Sequence, residues 1–138
     1  MYPPELTAPM RAELTGNGVD DLTTPDAVEG CVGSDGTALV FVNSVCGCAA
    51  GGARPGLVAA LKDSGVRPDR VGTVFAGVDR EAVDKARELM LGFPPSSPSA
   101  ALFKDGEVVW MIHRHQIEGS YPEQIAQAFG EAFKEHCA

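Results

Sequence analysis

The sequence predicts an α/β fold: a mixed four-stranded sheet flanked by helices, with an extra helix at the N-terminus. Three observations carry this expectation. Two continuous apolar, β-branched runs, residues 37–43 (TALVFVN) and 70–78 (RVGTVFAGV), read as buried strands. Helical patterns separate and follow them, which favours parallel pairing through right-handed crossovers. Residues 99–114 read as two further strands joined at Asp105-Gly106, a strong hairpin signal.

The elements follow in order. A first amphipathic helix is expected over PPELTAPMRAELTG, where Leu6, Met10 and Leu14 are spaced four apart. NGVDD reads as a turn. TTPDAVEGCV opens a second helix, with Thr24 as N-cap, Pro25 at the first helical position and Asp26 in the first turn. After the first core strand comes NSVCGCAAGGARP, then a helix over RPGLVAALKDSG with Leu57, Val58 and Leu61 on one face and Gly65 as terminator. DREAVDKARELMLG is a charged helix, capped by Asp79 and stopped by Gly92. FPPSSPS breaks regular structure before the hairpin, and YPEQIAQAFGEAFKEHC closes the chain as a helix with Ile125, Phe129 and Phe133 aligned.

The 138 residues suit a single domain, 1–138, that needs no disulfide or metal staple to build its core. Hydrophobic content of 44% and charged content of 22% are those of an ordinary globular chain. A formal net charge of −8 argues against nucleic acid or an anionic membrane as partner, since both call for clustered Lys and Arg. No apolar run approaches a membrane span, and the N-terminus has no basic stretch followed by an apolar one, so a cytoplasmic protein is expected.

Four cysteines are present: Cys31, Cys46, Cys48 and Cys137. In a reducing compartment the close pair, Cys46 and Cys48, points to catalysis or metal binding rather than to a structural staple. Thiol–disulfide exchange needs a thiolate, a reachable disulfide and a way to resolve the mixed intermediate. A helix starting at the pair would lower the Cys46 pKa. A helix starting only at Pro55, beyond Gly51 and Gly52, would help less. Small residues at 47, 49 and 50 leave room for a bulky thiol partner. A disulfide across one residue has constrained torsions and is the more easily reduced, which suits transfer or isomerisation better than strong reduction. Metal or cluster binding is the rival reading. The pair lacks the usual two-residue spacing and no second close pair exists, so no metal ligand is assigned and no tightly bound cofactor is expected.

Two stretches carry a resemblance. A close cysteine pair after the first core strand, with Pro98 just before an apolar strand and FKDGE, resembles the thioredoxin-like fold. That resemblance implies a cis bond at Pro98, with Ser97 and Pro98 docking the substrate backbone beside the cysteines. X-Pro is where a cis peptide costs least. The departures are a Cys-Gly-Cys site preceded by Val45, and Val40 where many thioredoxins bury an Asp. The fuller likeness is to the bacilliredoxins, carried by MRAELTG, DDLTTPDAVE, VNSVCGCAAGGARP, TVFAGVDREA, PPSSPSAALFKDGEVV, HRHQIEG and the terminal EHC. It implies removal of bacillithiol, a low-molecular-weight thiol and here a co-substrate, from S-bacillithiolated client proteins. It also implies a related disulfide isomerase activity. Cys46 is then the nucleophile and Cys48 the resolving or second thiol.

Other residues divide between function and packing. Cys137 could resolve the intermediate, bond another chain in a homodimer, or be an idle thiol on a fraying helix end. Arg54 could stabilise a thiolate or a bacillithiol carboxylate, or be a solvated helix charge. Cys31 reads as a small apolar filler. His113, Arg114 and His115 are expected to end the second hairpin strand, in a surface or catalytic role.

Overall fold

The computed structural model describes residues 2–138. Its strands are β1 (Asp20–Asp21), β2 (Thr37–Asn43), β3 (Arg70–Phe75), β4 (Ser99–Lys104) and β5 (Glu107–Ile112). They form one sheet in the order β1-β3-β2-β4-β5. The helices are α1 (Pro4–Thr15), α2 (Pro25–Val32), α3 (Arg54–Asp63), α4 (Arg80–Leu89), α5 (Arg114–Ile117) and α6 (Pro122–Cys137). The four expected strands are present, and a fifth is added at the edge. Asp20 and Asp21, read from sequence as part of a turn, pair in parallel with Gly72 and Thr73.

Strand β2 is central and buried along its whole length, as its unbroken apolar run requires. It pairs in parallel with β3 and antiparallel with β4. β4 follows a helix yet runs against β2, because residues 90–98 carry the chain back to the C-terminal edge of β2 before β4 begins. Asp105 and Gly106 both have positive φ, 52° and 87°, the backbone a tight hairpin demands. On one face of the sheet Leu39, Phe41 and Leu102 pack against Leu57, Phe129 and Phe133. On the other, Val40, Val42 and Phe103 pack against Val28, Cys31, Val83 and Ala86. Val40 is therefore a core residue.

Three local expectations are corrected. In α1 the buried positions are Thr7 and Leu14, while Leu6 is exposed, so the helix touches the core along a narrower stripe than the four-residue spacing implies. The third strand stops at Phe75 rather than at residue 78. Asp79 precedes α4 but makes no side-chain cap. Its carboxylate accepts from Arg11 Nη1 and Nη2 at 2.9 and 2.7 Å and from the Phe75 N–H at 3.1 Å, fastening α1 to the end of β3.

Helices α3 and α6 come close because Gly52 and Gly56 lie on the face turned to Ile125. A methyl at Gly56 would sit 2.7 Å from Ile125 Cγ2, and Ile125 is only 1% exposed and has nowhere to move. Gly56→Val is expected to lower unfolding stability by about 1–3 kcal/mol through overpacking, read from the midpoint of urea denaturation. A midpoint equal to that of the native sequence refutes this packing account.

Candidate active site

The cysteine pair lies just past the C-terminal end of β2, where helical winding begins. The Cys46 carbonyl accepts from the Ala49 and Ala50 N–H groups at 3.1 and 3.3 Å, so the first turn starts at the pair itself and not at Pro55. Residues Ala49–Ala53 then form a single wide π-helical turn that runs into α3. Such turns recur at functional sites. Here it accommodates Gly51 and Gly52 without ending the helix. Gly47 and Gly51 face open space, with nothing within 4 Å of an added Cβ.

Cys46 and Cys48 are both partly buried, with Sγ atoms 2.6 Å apart. They are not equivalent. Burial acts against the Cys46 thiolate. Hydrogen bonds from the Cys48 thiol, the Ala49 N–H, the Ser44 hydroxyl and the Cys48 N–H outweigh it, and the pKa lies below the ordinary thiol value. Cys48 moves the other way. Burial, the hydrogen bond to Cys46 and the Cys46 charge raise its pKa, while the Arg114 charge lowers it in part. The Cys46 N–H donates to Ser44 Oγ at 3.2 Å, which holds the intervening loop tight.

Sheet register brings Ser97 and Pro98 to the same end of the sheet as the pair. Val42 is opposite Ser99, so Pro98 comes level with Asn43, three residues before Cys46. The Ser97–Pro98 bond is cis, and Pro98 is buried.

Arg54 is neither a solvated charge nor a thiolate partner. It is 2% exposed. Nε donates to Glu13 Oε1 at 2.8 Å; Nη1 donates to Asn43 Oδ1 at 2.9 Å and to the Ser44 carbonyl at 2.8 Å. It joins α1, the end of β2 and the loop before Cys46. Asn43 completes the knot, its Oδ1 also accepting from the Ser44 N–H and its Nδ2 donating to the Met10 carbonyl.

Cys137 is not part of the site. Its thiol faces Thr37, Asp69 and Lys104, and burial raises its pKa. Thr37 begins β2 and the pair follows its end, so a seven-residue strand of about 20 Å separates them. Cys137 cannot resolve an intermediate on Cys46 in the same chain, nor share an ion with the pair. Cys31 is buried in the core, its pKa pushed up to about 11 by burial.

The sequence offers Arg114 for a surface or catalytic role but sets it at the end of a strand, and the structure moves it. Strand β5 ends at Ile112, and residues 114–117 turn into the short helix α5. That turn brings Arg114 to the loop before Pro98, where its N–H donates to Ser96 Oγ at 3.3 Å and Nη1 to the Ser97 carbonyl at 3.2 Å. The only sequence signal was HRHQIEG itself.

The sequence model of a family described as disulphide isomerase matches residues 2–137. A bacilliredoxin from Cytophaga hutchinsonii is 56% identical over 126 residues, 91% of this chain and 93% of that protein. One from Halalkalibacterium halodurans is 51% identical over 128 residues, 93% of this chain and 88% of that protein. Among solved structures, mitochondrial thioredoxin 3 from Saccharomyces cerevisiae superposes with a TM-score of 0.57 at 17% identity, covering 89% of this chain and 98% of that one. A Malassezia sympodialis thioredoxin gives 0.59 at 14% identity, covering 88% and 93%. The architecture is thus the thioredoxin fold.

Two outcomes test the geometry. Arg54→Ala leaves Asn43 Oδ1 and the Ser44 carbonyl without their donor in a buried place, while the partly exposed Glu13 returns to water, and is expected to cost about 1–3 kcal/mol of stability, with Arg54→Lys unable to restore the forked contacts. Denaturation curves check both, and a full rescue by Lys contradicts the fork. Cys48→Ala removes the largest contact favouring the Cys46 thiolate. The pH midpoint of Cys46 alkylation should rise, whereas Cys48→Ser, which keeps a donor, should hold it low.

Proposed function

The chain belongs to the bacilliredoxin family, thiol–disulfide oxidoreductases by fold and kinship, and from that premise we propose that it strips bacillithiol from S-bacillithiolated proteins through Cys46 and Cys48. The observation that carries the reading is the asymmetry of the pair: one thiol stabilised as thiolate, the other as thiol, two residues apart at a helix start. Exchange needs that division, because the attacking sulfur must be ionised and its neighbour must wait.

The Cys46 thiolate attacks the bacillithiol sulfur of the mixed disulfide. The S–S bond to the client breaks, and the client sulfur leaves as thiolate and takes a proton from solvent. A new disulfide joins Cys46 to bacillithiol. A second bacillithiol thiolate then attacks the bacillithiol sulfur, freeing Cys46 and releasing bacillithiol disulfide. Alternatively Cys48 loses its proton, attacks Cys46 and releases bacillithiol, leaving an internal disulfide for bacillithiol to reduce. The open space over Gly47 and Gly51 admits a bulky partner, and the Ser97 N–H, beside a carbonyl that Arg114 already holds, is the backbone contact left for the client. The chemistry belongs in a reducing compartment, the cytoplasm.

A second reading, disulfide isomerisation, is favoured by the description of the matched family. It uses the same first attack, on a disulfide between two client cysteines. No bound cofactor enters either cycle.

Intact-protein mass after mixing with a bacillithiolated client tests the proposal. Cys48→Ala should trap one bacillithiol adduct, Cys46→Ala should take none, and the unaltered protein should free the client. A client that stays blocked, with neither variant modified, refutes bacillithiol transfer, and scrambled client disulfides rearranged in the same samples would favour isomerisation.

A further inference from the structure

With a net charge of −8, the chain as a whole repels anions. One groove nevertheless holds a cation, Arg114, whose only charged partner among the described residues is the exposed Glu118. This groove of about 350 Å³ has Pro94, Pro95 and Ser96 on one side and His113, Arg114 and His115 on the other. Its size suits a small molecule. The rings of His113 and His115 stack at 5.6 Å and 10°, and Phe93 packs on His113 at 6.2 Å, giving the groove a flat aromatic margin.

Arg114 is the cation of this groove. Two contacts pin it to the segment before Pro98, through Ser96 Oγ and the Ser97 carbonyl. Its Nε pairs with Glu118, which also lines the groove. That pair is exposed, 44% and 53% for the two side chains, and an exposed ion pair contributes little and exchanges readily. Among the described residues Nη2 takes no protein acceptor, and a guanidinium fork matches a carboxylate. Arg114 holds the Ser97 carbonyl, next to the Pro98 that the register sets level with Asn43 at the end of β2, and its charge is felt by both Cys48 and Cys46.

We infer that this groove is a subsite for the carboxylate-bearing part of a low-molecular-weight thiol, with Arg114 exchanging Glu118 for the ligand's carboxylate. The inference rests on the proposed exchange with bacillithiol, whose malyl group carries such carboxylates. It assigns the ligand's acidic end to Arg114 and leaves the client on the Ser97–Pro98 side. Arg114 binds, and the sulfurs do the chemistry.

The test uses symmetric disulfides, so that no client protein contributes. In the Cys48→Ser background, which keeps a donor to Cys46, the Cys46 thiolate attacks one sulfur of the disulfide. The S–S bond breaks, one thiol leaves as thiolate, and the other stays on Cys46. Loading rates are read by intact mass with the disulfides of bacillithiol, mercaptosuccinate and 2-mercaptoethanol. Arg114→Gln is expected to lower the carboxylate-to-neutral rate ratio roughly tenfold, the loss of one forked carboxylate contact. Glu118→Gln, which frees the fork, should raise the ratio. An unchanged ratio in Arg114→Gln overturns the inference, whether both rates fall together or neither does. Failure of the parent protein to load bacillithiol while mercaptosuccinate loads with an Arg114-dependent ratio would sink the bacillithiol reading and leave the anion subsite standing.

Discussion

A buried guanidinium fixes where the cysteine pair sits. Arg54 comes from the first turn of α3, yet its donors end on Glu13 of α1, Asn43 at the end of β2 and the Ser44 carbonyl. Burying that charge is unfavourable unless every contact is made. The requirement therefore sets three things together: how α1 lies on the sheet, how the loop leaves β2, and how α3 starts. The cysteine pair is the short span between the second and the third. Its position thus follows from satisfying an arginine whose donors all end on other groups than the two sulfurs.

On that frame the difference between the two thiols is made by very local contacts. Cys46 is favoured as thiolate by groups from Ser44 to Ala49, and Cys48 is disfavoured chiefly by burial and by Cys46 itself. Contributions from distant sequence reach the site by another route, the return of residues 90–98 to the edge of β2 and the turn at the end of β5. The sheet register that sets Val42 against Ser99 sets Pro98 level with Asn43, at the end of the sheet where the pair lies.

Most of the architecture was legible in the sequence because its signals are local. The unbroken TALVFVN run, Thr24 and Pro25 before a helix, Asp105-Gly106 between strands, and Ile125, Phe129 and Phe133 along α6 each declare their element. What was not legible depends on partners far along the chain. Arg54 reads as a helix charge until Glu13 and Asn43 close around it. Asp79 reads as a cap until Arg11 claims its carboxylate, and then the contact it makes is with another helix. Two aspartates carry no strand signal, and Asp20 and Asp21 are a strand only because β3 offers them an edge. Arg114 reads as the end of a strand because nothing in HRHQ marks a turn. The chain nonetheless bends after Ile112, and that bend delivers the cation to the site.

Chain order also gives the site a history. During synthesis Cys46 and Cys48 leave the ribosome with Ser44 and Ala49 already beside them in the chain, while Ser96, Pro98 and Arg114 are still to be made. The contacts that favour the Cys46 thiolate lie within a few residues of it, whereas the walls proposed to select its partner arrive only when β4 and the turn after β5 have docked. Reactivity is encoded early in the polypeptide and discrimination late. A chain cut before β4 would hold every residue whose contacts lower the Cys46 pKa yet lack the strand that flanks β2 and steadies them, so it would be neither primed nor selective.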